Sequence, residues 1–228
     1  MPRLVVFDAY GTLFDVAGAA RSAAAEPGGE RLAAIWQRLA AEWRAKQLEY
    51  TWIRAITGAH VDFETVTGEA LDWALEAQGV ADPALRDRLM ALYRMLPAYG
   101  EVPRMLDRLA AAGLRCAILS NGAPAMPAAA FASAGIGGRL EAVISVEAAG
   151  IFKPAAAVYR LVEAETGVAP ADVLFVSANG WDAAAAAGFG FETVWVNRAG
   201  APQDRLPWGP AHVVRDLSAL PALAGERA

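Results

Sequence analysis

The chain has 228 residues, of which 56% are hydrophobic and 20% charged, and its formal net charge is -5 at pH 7. That length allows one large domain or one domain carrying an insertion, and that composition excludes a disordered chain. The acidic balance argues against nucleic acid or an anionic membrane as partner, so a small anionic substrate has to be drawn in by local cations.

Leu4-Val5-Val6-Phe7 is an apolar run that closes on Asp8-Ala9-Tyr10-Gly11-Thr12, the pattern of a buried strand ending in a turn. Such a strand delivers Asp8 to its carboxyl end, where open α/β sheets bind ligands. On this stretch alone Asp8 reads equally as a nucleophile or as a turn cap. Val16 to Gly29 is rich in Ala, Gly and Ser, with Pro27-Gly28-Gly29 as a breaker. From Glu30 to about Ile56, apolar residues three and four apart predict one helix. Asp62 caps a second helix through about Ala77, and Asp82-Pro83 opens a third. The stretch up to Pro97 thus holds helices and no strand signal.

The period then switches. Val102 to Ala112 is a helix and Leu114 to Leu119 a strand ending in Ser120-Asn121-Gly122. Ala125 to Ala134 is a helix, Ala142 to Ser145 a strand, and Lys153-Pro154 precedes a helix through about Glu165. Val173 to Val176 is a strand ending in Ser177-Ala178-Asn179, followed by a helix from Trp181 to Ala187. Thr193 to Val196, Val213-Val214 and a short helix from Leu217 to Leu223 complete the chain. Alternating strands and helices predict a parallel sheet with helices on both faces. The expected fold is α/β, a doubly wound Rossmann-like core (1–15 and 97–228) with a helical cap inserted after the first strand (16–96). A helical insertion at that point lies over Asp8, as a lid would.

Cys116 is the single cysteine, so an internal disulfide is impossible, and its place in an apolar strand marks it as a buried hydrophobe. The two histidines, His60 and His212, adjoin no cysteine cluster, which argues against a zinc site or a Cys-His pair. No secretory signal pattern and no apolar run of about 20 residues is present, so the expected location is the cytosol.

Polar residues end the core strands: Asp8, Tyr10 and Thr12; Ser120 and Asn121; Ser177 and Asn179, with Asp182 just inside the next helix. Lys153 stands ahead of another helix. Four such endings on one sheet edge around a nucleophile are far more specific than one.

Asp8-x-Tyr10-Gly11-Thr12-Leu13, Leu119-Ser120-Asn121-Gly122, Lys153-Pro154 and Ser177-x-Asn179-x-x-Asp182 resemble the four motifs of the haloacid dehalogenase superfamily. Within it the chain is most similar to the L-2-haloacid dehalogenases, through the run from Trp43 to Trp52 (WRAKQLEYTW). The resemblance implies that Asp8 displaces halide from C2, forming an ester that water then hydrolyses. It implies Lys153 and Asp182 as activators of that water, Ser177 and Asn179 as positioning groups, and Thr12 on the Asp8 carboxylate. Ser120 and Asn121 would hold the substrate carboxylate, and Arg44, with Asn121 helping, the departing halide. Tyr10, Leu48, Phe63 and Trp181 would line the alkyl pocket, with Tyr159 orienting Lys153. A homodimer is also implied. Ala45 departs from the family pattern, which places Gln there in many members.

Phosphatases of the superfamily are the alternative, acting on a small phosphate monoester. They carry a second Asp two residues after the nucleophile, where this chain has Tyr10. They also need magnesium, which prefers carboxylate and water oxygens, whereas here Ser177 and Asn179 leave Asp182 as the sole acid of that strand end. No metal and no cofactor are therefore expected. Without a metal, repulsion between Asp8 and a substrate carboxylate, about 4 kcal/mol at ~4 Å and an effective dielectric near 20, falls to Lys153 to offset.

Overall fold

The structure is a computed structural model and describes residues 2–123, 130–132 and 134–225. Its centre is a six-stranded sheet of β1 (Leu4–Phe7), β2 (Arg115–Ser120), β3 (Ala142–Ser145), β4 (Val173–Ser177), β5 (Glu192–Val196) and β6 (His212–Val214). All five pairings are parallel and the order is β3-β2-β1-β4-β5-β6. This is the doubly wound, Rossmann-like order expected from the alternating pattern. The chain runs outward from β1 to β2 and β3, then crosses back to β4 on the other side. The switch point therefore lies between β1 and β4, whose carboxyl ends carry Asp8 and Ser177.

Every side chain of β1 is fully buried, each contributing about 1.5–3 kcal/mol. Phe7 is level with Ile118 on one side and Val176 on the other. The Asp8 N–H continues the ladder to Val176 O at 2.9 Å, so the first residue beyond the strand is held by the sheet itself. Gly11, at φ 90°, then turns the chain, and its N–H reaches Phe14 O at 2.8 Å. A side chain at that φ would be strained.

Six helices separate β1 from β2 among the described residues, the first five being α1 (Gly18–Ala25), α2 (Glu30–Ala33), α3 (Trp36–Thr57), α4 (Phe63–Ala77) and α5 (Pro83–Tyr93). Asp62 and Asp82 cap α4 and α5 as expected, accepting from the N–H of Thr65 and Leu85 at 2.8 and 3.0 Å. Two features differ from the sequence reading. Residues 18–25 form α1, which packs on α5 and α2; their Ala-Gly composition has helix propensity but too little apolar contrast to show a period. The helix expected over Glu30 to Ile56 is two, because Ile35 leaves helical geometry at φ -128°. Leu32 and Leu39 are buried on either side of the break; residue spacing records burial and not the direction of the axis.

The chain leaves and re-enters the core along paired segments. Asp15 N–H bonds Pro97 O at 3.0 Å, and Tyr99 N–H bonds Leu13 O at 2.9 Å, with Phe14 and Ala98 bridged antiparallel. Beyond them come α6 (Val102–Ala111), α7 (Ala156–Thr166), α8 (Gly180–Phe189) and α9 (Leu220–Leu223). In such a sheet the right-handed crossover rule puts α6, which leads into β2, and α8, which leads from β4 to β5, on opposite faces. Ala183, Ala184 and Ala186 are buried in α8, which packs closely on β4 and β5. The helix expected over 125–134 lies largely outside the described residues; 130–132 and 134 are helical. Among the described residues, no helix is long and apolar enough to cross a membrane.

Candidate active site

Asp8 is 6% exposed, and three side chains donate to its carboxylate. Lys153 Nζ reaches Oδ1 at 3.1 Å; Thr12 Oγ1 and Asn179 Nδ2 each reach Oδ2 at 2.9 Å. Thr12 is itself fixed, because its hydroxyl oxygen accepts the Ala178 N–H at 2.7 Å. Asp8 is thus pinned from the β1 turn, the β4 end and the segment before α7.

Lys153 is 1% exposed and Asp182 fully buried, and they meet at 2.9 Å. The Lys153 N–H donates to Asn121 Oδ1 at 3.1 Å, tying this segment to the β2 end. Burial pulls the Lys153 ammonium down, but the carboxylates of Asp182 and Asp8 together outweigh it and hold its pKa above the ordinary value. Burial pushes the Asp182 carboxyl up, against the Lys153 ammonium, with Asp8 adding to the rise. Tyr159 donates its hydroxyl to Asp182 Oδ1 at 2.7 Å. Its contact is with Asp182 and not with Lys153, so it acts on the lysine one group removed. Burial, followed by the Asp182 charge, raises the Tyr159 phenol well above its ordinary value, so it stays a donor.

Arg44 enters from α3. Its Nη2 lies 3.2 Å from both Tyr10 O and Asn179 Oδ1, and its Nη1 donates to Gln47 Oε1 at 2.7 Å. Gln47 is 1% exposed, and its amide nitrogen donates to Thr67 Oγ1 at 2.7 Å and Tyr93 OH at 3.1 Å. Thr67 in turn donates to Phe63 O at 2.6 Å, and Trp43 Nε1 donates to Thr67 O at 2.8 Å. Three helices thereby hold the guanidinium. The sequence reading passed over Gln47, although a polar residue three after Arg44 on a helix shares its face.

Tyr10 stacks on Tyr93 at 5.6 Å and tilts against Phe63 at 5.4 Å, while Trp181 meets Trp52 edge to face at 5.5 Å. Burial holds the Tyr10 phenol well above its ordinary value. Leu48 is half-buried and Ala45 exposed. Ser120 and Ser177 are buried; their hydroxyl oxygens accept the N–H of Gly122 at 3.0 Å and of Asn179 at 3.1 Å. The Gly122 N–H is thereby engaged within the loop. Arg198, also passed over, donates to Thr12 O at 3.1 Å, pairs with Glu101 at 2.6 Å and lies 3.7 Å over the Tyr99 ring. Its signal was the polar ending of β5, the same cue as at the other strands.

These donors do not fit a magnesium ion. Both Asp8 oxygens face N–H or O–H donors, and the Tyr10 carbonyl and Asn179 amide oxygens face a guanidinium. Among the described residues, no three His, Cys, Asp or Glu side chains gather as a metal site. What the arrangement offers is a buried, oriented carboxylate with a fixed ammonium on it and a guanidinium held nearby through Tyr10 O and Asn179. Such a pair can admit an anionic electrophile and receive an anionic leaving group.

Residues 2–190 match the model of the haloacid dehalogenase-like hydrolases. The chain is 40% identical to (S)-2-haloacid dehalogenase 1 of Pseudomonas sp. (strain CBS-3), covering 97% of this chain and 96% of that protein. It is 46% identical to the (S)-2-haloacid dehalogenase of Xanthobacter autotrophicus, covering 87% of this chain and 76% of that protein. A solved structure of the L-2-haloacid dehalogenase from Xanthobacter autotrophicus, with chloropropionic acid covalently bound, superposes with a TM-score of 0.88 at 39% identity. The match covers 100% of each chain.

Proposed function

Since the chain belongs to the haloacid dehalogenase-like hydrolase family, we propose that it hydrolyses (S)-2-haloacids to (R)-2-hydroxy acids without a metal ion. The observation that carries this reading is the pairing of Lys153 with Asp8 at 3.1 Å beside Tyr10. A buried ammonium does the work of a metal toward an anionic substrate, and Tyr10 stands where a phosphatase needs its acid.

In this reading α1 to α5, within residues 16–96, form a cap over a core of residues 1–15 and 97–228. Ser120 and Asn121 hold the substrate carboxylate, while Tyr10, Leu48, Phe63 and Trp181 surround the substituent on C2. Asp8 attacks C2 in line and the carbon–halogen bond breaks, with the electron pair leaving as halide toward Arg44. The product of this step is an ester on Asp8, with Asn121 as the side chain that helps Arg44 receive the halide. Water, activated by Asp182 and Lys153, then adds to the ester carbonyl, and the C–O bond to Asp8 breaks. The 2-hydroxy acid departs with C2 inverted once, because only the first step touches that carbon. Thr12, Ser177 and Asn179 keep Asp8 aligned through both steps, and Tyr159 holds Asp182.

A homodimer and a cytosolic location complete the proposal, the first resting on family resemblance and the second on the sequence reading. The decisive experiment is halide release from each enantiomer of 2-chloropropionate, with and without EDTA. Release from the (S) enantiomer alone, indifferent to chelator, is expected. Chelator-sensitive hydrolysis of p-nitrophenyl phosphate in place of halide release would favour the phosphatase.

A further inference from the structure

We propose that Ser145, at the end of β3, is a positioning residue for the substrate carboxylate, and that Glu147 and His60 hold it in that role. This rests on the dehalogenase reading above, in which Ser120 and Asn121 bind that carboxylate, and deepens it.

Ser145 stands level with Ser120 across the β2–β3 pairing. The two hydroxyls grip Gly122 at both ends. Ser120 Oγ accepts the Gly122 N–H at 3.0 Å, and Ser145 Oγ donates to Gly122 O at 2.8 Å. A hydroxyl has one proton. Ser120, by accepting from Gly122, keeps its own proton for a substrate carboxylate, and its aim depends on where Gly122 sits. Gly122 also abuts the site, because a Cβ there would come within 2.8 Å of the Tyr10 ring. Beside it, Asn121 Oδ1 is taken by the Lys153 N–H, which leaves the amide nitrogen as the donor. Ser145 touches neither of these groups and acts on them through Gly122.

The Ser145 oxygen accepts the Glu147 N–H at 3.2 Å, capping the short turn Val146–Ala148. A cap uses only the oxygen of such a hydroxyl; the proton is what reaches Gly122. A buried strand end favours an apolar β-branched residue, so the serine is accounted for by what it holds.

Glu147 is held in turn from outside the core sheet. Its Oε2 meets His60 Nε2 at 3.0 Å, and His60 lies in the segment between α3 and α4. The His60 ring also packs on Phe152, at 4.6 Å, the residue before Lys153. One side chain thus braces a segment whose two ends reach Gly122 and Asp8.

The test separates binding from chemistry. Ser145→Ala should raise KM for (S)-2-chloropropionate about tenfold and leave kcat within roughly threefold. It should weaken propionate, which has a carboxylate and no halogen, by a similar factor in titration calorimetry. Ser145→Thr restores the hydroxyl and should recover both values. His60→Ala should give the same signature at about threefold, and His60→Gln, which can still donate to Glu147, should undo it. In the variant carrying both Ser145→Ala and His60→Ala the effects should not add, since both act through Gly122. If Ser145→Ala does not fold, the two His60 variants, at a half-buried loop position, carry the test. A fall in kcat with KM and propionate affinity unchanged overturns the assignment. Equal damage from Ser145→Thr, no rescue by His60→Gln, or additive effects also overturn it. Propionate binding by a native chain that releases no chloride would instead sink the dehalogenase reading itself.

Discussion

Gln47 presents its amide oxygen to the Arg44 guanidinium at 2.7 Å and turns its amide nitrogen to Thr67 and Tyr93. One buried side chain therefore sets the orientation of the cation that faces Asn179. Replacing it by Leu leaves the Arg44 N–H and the Tyr93 hydroxyl without that partner, while the Thr67 hydroxyl keeps Phe63 O. Gln47→Leu should cost about 1–3 kcal/mol of stability in urea denaturation. Its rate should fall more for a 2-chloro than for a 2-bromo substrate, because the poorer leaving group depends more on Arg44. An unchanged chloro-to-bromo ratio would reduce Gln47 to a packing role.

Asp8 is expected to be consumed and regenerated in each cycle. Asp8→Asn should abolish halide release from (S)-2-chloropropionate. In a single turnover with enzyme in excess in ¹⁸O water, the label should enter the Asp8 side chain, read by mass spectrometry of its peptide. Label in the product of that first turnover would mean that water attacks C2 directly.

Lys153 shares its charge with two carboxylates, so its loss should be severe. Lys153→Ala should lower kcat about a thousandfold or more, roughly 4 kcal/mol of barrier at 1.4 kcal/mol per tenfold. A rate within tenfold of the native enzyme would remove the charge argument.

The same lysine predicts a pH dependence. Its native pKa lies above the ordinary 10.5 because Asp182 and Asp8 outweigh the effect of burial. The stability it supplies is thus complete below 10.5 and is lost as pH rises through the native value. The difference in urea midpoint between the native protein and Lys153→Met should stay constant from neutral pH to that point and narrow beyond it. A difference already shrinking near neutral pH would contradict the raised value.

Cys116 is buried in β2, and burial pushes its thiol up to about 12. Native protein at neutral pH should resist alkylation by iodoacetamide, and denatured protein should react once per chain. Rapid alkylation of the native protein would show that β2 is not packed as described.

Much of this was legible in the residues because the relevant signals are local. Asp8, Ser120 and Ser177 each close an apolar run, and a parallel sheet puts the ends of such runs on one edge. Asp62 and Asp82 announce α4 and α5 through caps that need only the next turn of chain. The Gln47–Thr67–Tyr93 network was not legible, because its members come from three helices and hydrogen bonding across helices leaves no periodic trace. The target of Tyr159 was missed for a related reason. Spacing places it on the same helix face as its neighbours, but whether its hydroxyl meets Lys153 or Asp182 depends on how α7 leans against the start of α8. The kink at Ile35 lies beyond a pattern that counts apolar residues and takes no account of where the axis points.

The paired passages at residues 13–15 and 97–99 have one more consequence. The chain leaves the sheet and returns to it at the same spot, with the two crossings hydrogen-bonded to each other. The excursion between them is a cassette plugged into a socket, and it touches the rest of the chain again through Arg44 and Trp52. A designer could excise it, join the two crossings with a tight turn, and ask whether β1 to β6 still assemble. The same socket gives evolution a place to exchange specificity while the nucleophile and its ammonium stay where they are.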